Sequence, residues 1–108
     1  MKRVLFLCSQ NKLRSPTAER VFSKHPNLEV ASAGLDIDAN IRVTKELIEW
    51  ADLIFVMEKN HKNRLQKKFK QYLAIKKVIC LDIPDNYDYM DPELIQIFEE
   101  RIPLLLNI

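Results

Sequence analysis

A single glycine, Gly34, serves a chain of 108 residues, and only five prolines accompany it. Flexible linkers and low-complexity segments draw on both residues, so they are excluded, and no internal repeat interrupts the sequence. Cysteine is nearly as scarce: Cys8 and Cys80 lie far apart and fit neither a metal-binding nor a disulfide pattern. That usage suits a compartment where thiols stay reduced, and the expected location is the cytoplasm. The only histidines, His25 and His61, are widely separated on expected helix surfaces and form no metal site. Long apolar runs are missing as well. Behind Met1-Lys2-Arg3 the apolar stretch is only Val4 to Leu7, too short for a signal peptide or a membrane span. Charge of one sign is not in excess either, and a net +2 calls for neither nucleic acid nor membrane as partner.

What is present reads as a globular protein. Hydrophobic residues make up 47% and charged residues 30%, and the length fits one domain over residues 1–108. Val4-Leu5-Phe6-Leu7 is a continuous run expected to form a strand covered on both faces. Further strands are expected over 28–31, 52–57 and 77–81. Between them fall helices over about 15–24, 44–50 and 59–73, with a last one opening at Asp91-Pro92-Glu93 that Pro103 must kink or end. Strands alternating with helices imply a three-layer α/β fold, with a four-stranded parallel sheet covered on both faces. Right-handed crossovers favour a flavodoxin-like order of 2-1-3-4, and ligands then bind beyond the carboxyl end of strand 1. The segment Cys8 to Ser15 falls there.

That segment, "CSQNKLRS", has the composition of an anion site. Between a strand and a helix start, the backbone N–H groups of Ser9, Gln10, Asn11, Lys12 and Leu13 are free to converge on a phosphate, and the helix dipole favours negative charge. The same field favours a thiolate at Cys8. Arg14 offers a planar fork that fits two phosphate oxygens. Ser15, which is also an expected helix cap ahead of Pro16, can donate its hydroxyl to the sulfur. Asn11 is one of the few residue types besides glycine that tolerates positive φ, which a tight anion-cradling loop needs. Cysteine and arginine at this spacing are weak alone. Set between strand and helix, they read as a site for covalent phosphate transfer.

Here the sequence resembles the low-molecular-weight protein tyrosine phosphatases. "VLFLCSQNKLRSPTAE" follows their pattern of cysteine, five residues, arginine, serine and proline. Ser32-Ala33-Gly34, "TKELIEWADLIFVMEKNH" (44–61) and "IPDNYDY" (83–89) extend the likeness over nearly the whole chain. The resemblance implies Cys8 as nucleophile, Arg14 as phosphate clamp, Asn11 and Ser15 as loop supports, and an aspartate on the late loop as general acid. Asp85 best fits that role, with Asp88 as runner-up; Asp91 is explained as a helix cap, and Asp82 lies too close to the sheet. Tyr87 is the aromatic placed to flank a substrate ring. Two departures stand out: Gln10 replaces a usual glycine, and Leu13 a frequent cysteine. The segment 35–43 is also shorter than the family's usual insert, which forms one wall of the cleft.

Other readings compete with this one. Residues 59–77 carry eight Lys/Arg, but their apolar residues share one helical face, so the lysines are a solvated face. Trp50 and Cys80 read as core residues. An arsenate reductase of the same fold would need further resolving cysteines. A phosphocysteine carrier would lack Arg14, and a phosphate-binding module would lack turnover. The expected function is therefore a cysteine-dependent phosphomonoesterase, most simply a protein tyrosine phosphatase. Arginine and amides supply its positive field, so no cofactor or metal is expected, and its partner is a phosphorylated substrate.

Overall fold

The architecture follows from where the apolar residues must go. In a computed structural model, which describes residues 1–73 and 76–108, nine segments alternate along the chain. They are β1 (Lys2–Cys8), α1 (Arg14–Phe22), β2 (Leu28–Gly34), α2 (Lys45–Trp50), β3 (Leu53–Val56), α3 (Lys59–Phe69), a 3-10 turn (Lys70–Tyr72), β4 (Lys77–Cys80) and α4 (Pro92–Leu106). The strands pair in parallel in the order β2-β1-β3-β4, as the alternation predicts. Register is set by Leu5↔Ala31 and Leu5↔Ile54 on either side of β1, and by Phe55↔Ile79 between β3 and β4.

Successive side chains of a strand point to opposite faces, so β1 and β3 feed two cores at once. Val4, Phe6, Cys8, Phe55 and Met57 pack beneath α1 and α4 with Phe98 and Ile102. Leu5, Leu7, Ile54 and Val56 pack beneath α2 and α3 with Ile48 and Leu65. Phe6 stacks on Phe55 at 5.6 Å and on Phe22 at 6.2 Å, tying the sheet to α1. Phe69, Tyr72 and Trp50, half-buried, line the second core as the helical spacing predicts. No helix of the described residues is long and apolar enough to cross a membrane.

Two local expectations are corrected and a third is narrowed. β2 runs three residues beyond Ala31 to Gly34, because its end pairs with β1 up to Cys8. α1 starts at Arg14 with no side-chain cap, since Ser15 is used elsewhere. α4 passes through Pro103 to Leu106. The hydrogen bond that proline cannot donate is offset by burial of Ile102 and Leu106 in that turn. The helix then closes at Asn107, left-handed at φ 60°, with Ile108 N–H donating to the Pro103 carbonyl.

Candidate active site

The carboxyl end of β1 delivers Cys8 to the rim of the sheet, and the chain then turns sharply before α1. Asn11 makes that turn at φ 55°, the left-handed region that asparagine tolerates. The turn is tied to the sulfur. Cys8 Sγ accepts the Asn11 backbone N–H at 3.2 Å and lies 3.0 Å from Ser15 Oγ. Asn11 Nδ2 donates to Ser15 Oγ at 3.0 Å and to Ser32 Oγ at 2.9 Å. Because Ser15 Oγ accepts from Asn11, its own proton is left for the sulfur or for the Ala33 carbonyl at 3.4 Å. Ser32 Oγ in turn donates to Glu19 Oε1 on α1. Asn11 and Ser15 therefore lie under the loop, buried, rather than at its mouth.

Residues 35–43, which were expected to leave one wall of the cleft open, buttress the loop from outside. Leu35, Asp36 and Asn40 donate backbone N–H groups to the carbonyls of Cys8, Ser9 and Gln10 at 2.9, 2.8 and 3.0 Å. Asn40 Nδ2 adds a bond to the Asn11 carbonyl at 3.0 Å. This embrace explains the lone glycine. A Cβ on Gly34 would sit 2.6 Å from the Ser9 carbonyl oxygen and 2.6 Å from Ala39 Cβ. With its carbonyls taken from outside, the loop keeps N–H groups other than that of Asn11 for a guest. Among the described residues, the amides of Gln10, Lys12 and Leu13 donate to no backbone acceptor.

Arg14 is only 3% exposed, and its Nη1 is fixed at 2.6 Å from Glu58 Oε2 and 2.6 Å from the Ile83 carbonyl. Asp85, whose side chain is 65% exposed, stands 3.7 Å from Arg14 Nε. Cys8, Ser9, Gln10, Lys12, Leu13, Arg14 and Asp85 line one open cavity of about 250 Å³. Tyr87 does not join them: it is half-buried against the core beneath α1 and α4. Asp88 is not in the lining, and its carbonyl accepts from Asp91 N–H within the late loop. Asp91 caps α4 by accepting from Glu93 N–H at 2.9 Å, as its sequence context predicts.

Besides Asn40, two residues of this site escaped sequence reasoning, Glu58 and His61. His61 was expected on a helix surface but is fully buried, at 0% exposure. Its Nδ1 accepts the Glu58 backbone N–H at 3.2 Å, so the proton of the neutral ring is on Nε2, which donates to Ser9 Oγ at 2.9 Å. Burial, reinforced by the nearby charge of Arg14 and partly opposed by Glu58, lowers the His61 pKa from 6.5 to about 4. The ring is therefore neutral at pH 7. Glu58 opens α3, accepts the His61 N–H, and holds Arg14 with the same carboxylate. Its spacing to His61 is that of a capping box, but Glu and His are not the residue types that announce one in a sequence.

Cys80 is free and half-buried at the end of β4. β3 lies between β1 and β4, so the two cysteine-bearing strands are about 10 Å apart, beyond reach of a disulfide without backbone movement. Burial pushes the Cys80 thiol pKa up, and its Sγ lies 3.4 Å from Asp82 Oδ1. No group of three or more His, Cys, Asp or Glu among the described residues could hold a metal ion.

A cysteine at a strand end, a tight anion loop and a helix-borne arginine, set in this sheet, define the cysteine phosphatase class. Comparison with families defined by sequence finds no match, and comparison with curated proteins finds none either. Solved structures do match. The chain is 25% identical to Wzb of Vibrio vulnificus, solved with benzylphosphonate, with a TM-score of 0.78 over 98% of this chain and 97% of that one. It is 26% identical to a protein tyrosine phosphatase, with a TM-score of 0.75 over 96% and 95%. Against the YwlE arginine phosphatase of Geobacillus stearothermophilus the identity is 22% and the TM-score 0.79, over 99% and 94%. The chain is thus similar, over nearly its whole length, to the low-molecular-weight protein tyrosine phosphatases.

Proposed function

We propose that the chain is a protein tyrosine phosphatase that hydrolyses phosphomonoesters through a phosphocysteine at Cys8. The observation that carries this is the seat of the sulfur: it accepts one amide N–H, lies against a serine hydroxyl, and faces a cavity shared with Arg14 and Asp85. Cys8 Sγ attacks phosphorus as the ester P–O bond breaks, and Asp85 gives the leaving oxygen its proton. Water then attacks the phosphocysteine, Asp85 takes its proton, and inorganic phosphate leaves with the thiolate regenerated. Arg14 and the free amides balance charge on the three equatorial oxygens. Asp85 is preferred to Asp88 because it lines the cavity and stands beside Arg14.

The neighbours' names cover two kinds of phosphorylated residue, phosphotyrosine and phosphoarginine. Lys12 in the cavity wall favours the first, since a phosphoarginine would bring its guanidinium against a like charge. Two free cysteines fit a cytoplasmic enzyme. The test is hydrolysis of an aryl phosphate with no added metal, inhibited by vanadate. Turnover that persists in Cys8→Ala rejects the covalent route.

A further inference from the structure

We infer that the substrate carries a second anionic group next to the scissile phosphate, and that Lys12 on the cavity rim reads it. This rests on the phosphatase reading and adds the class of substrate. Among the described residues the rim has no aromatic: Leu13 is its apolar member, and Gln10, Lys12 and Asp85 are polar or charged. Tyr87 is half-buried against the core and absent from the lining, and Tyr89 lines a different hollow with Pro16, Glu19 and Arg20. A leaving group that enters here is therefore recognised by charge and hydrogen bonding more than by ring stacking.

The charges at the mouth are unevenly spent. Arg14 already faces two carboxylates, Glu58 at 2.6 Å and Asp85 at 3.7 Å. Lys12 is exposed, lines the same cavity, and forms no ion pair among the described residues. The left-handed turn at Asn11 separates the two neighbours, with the Asn11 side chain buried under the loop and Lys12 outside. Lys12 is thus the lining cation left to attract a second anion of the substrate, whereas Asp85 repels one that comes near it.

The probes are phosphotyrosine peptides identical except for the residue beside the phosphotyrosine: aspartate, asparagine, lysine or phosphoserine. Specificity constants are compared as ratios to the asparagine peptide, and affinities are measured in the same way on Cys8→Ser. An exposed lysine–carboxylate pair predicts an aspartate preference of about two- to fivefold at low salt, fading as salt approaches roughly 1 M. Lys12→Arg should keep the preference, Lys12→Ala bring it close to one, and Lys12→Glu invert it. A phosphoserine neighbour that exceeds aspartate assigns the position to a second phosphate, and equality assigns it to any single anion. Ratios that are the same in wild type and Lys12→Glu overturn the inference. Loss of all aryl phosphate turnover in the wild type instead strikes the phosphatase reading on which it rests.

Discussion

Acidification should destabilise this protein through one buried ring. His61 is fully buried, with both nitrogens committed, and its pKa lies at about 4 in the fold against 6.5 for an ordinary histidine. Because the folded value is the lower one, the unfolded chain takes up the proton first as pH falls. The stability is thus complete above about pH 6.5 and is lost on the way down toward about pH 4. At 1.36 kcal/mol per pH unit the full effect is at most about 3 kcal/mol, of which about 2 kcal/mol is gone by pH 5. For a domain whose total stability is of order 10 kcal/mol, that is a large share. The assay is urea unfolding of wild type and His61→Gln at steps from pH 7 to pH 5. His61→Gln should be less stable at pH 7, and the gap should narrow by about 2 kcal/mol at pH 5, because glutamine does not titrate. NMR titration of the wild-type ring should show no protonation above pH 5. A gap that stays constant, or a ring that titrates near 6.5, refutes the reasoning.

Three further outcomes follow from the site. Cys8→Ser should lose turnover yet still bind phosphate or vanadate, measured by calorimetry, because Arg14 and the loop amides remain in place. Asp85→Asn should slow phenyl phosphate by roughly a hundredfold or more and a nitrophenyl phosphate far less, steepening the dependence on leaving-group pKa; the same steepening in Asp88→Asn instead would move the general acid to Asp88. Gly34→Ala drives a methyl toward a backbone carbonyl that cannot easily yield, so it should cost about 1–3 kcal/mol in urea unfolding and lower turnover as the loop shifts. Wild-type stability and activity in that variant would show that residues 35–43 do not brace the loop.

The sheet was legible because its strands are written as continuous apolar runs, as in Val4 to Leu7 and Leu53 to Val56, and the connections leave few alternatives. Cys8, Arg14 and their neighbours were legible because they lie in one turn, so sequence order is spatial order. Glu58, His61 and Asn40 were not, because they enter the loop from distant segments and each has an ordinary local explanation. His61 reads as a polar residue in the first turn of a lysine-rich helix, and only its partnership with Glu58 sets it apart. Ser15 shows the opposite error. Its place before Pro16 fits a helix cap, but the hydroxyl cannot serve two masters, and the sulfur and Asn11 claim it. Of the two outcomes open at Pro103, a kink or an end, the helix does not end, since one missing hydrogen bond is outweighed where the same turn buries Ile102 and Leu106.

A loop whose carbonyls are tied from outside, and whose turn is held by Asn11, Ser15 and Ser32, has its shape before any anion arrives. The work of assembling it is done during folding. Folding and anion binding are then linked reactions that draw on the same structure, and each must report on the other. Anions that occupy the native loop and ignore the unfolded chain raise the melting temperature. At a hundred times their dissociation constant they add about 2.7 kcal/mol. On the proposed function, the melting point of this protein should therefore gauge anion occupancy of the loop, and phosphate in a buffer should act as a reactant in its unfolding.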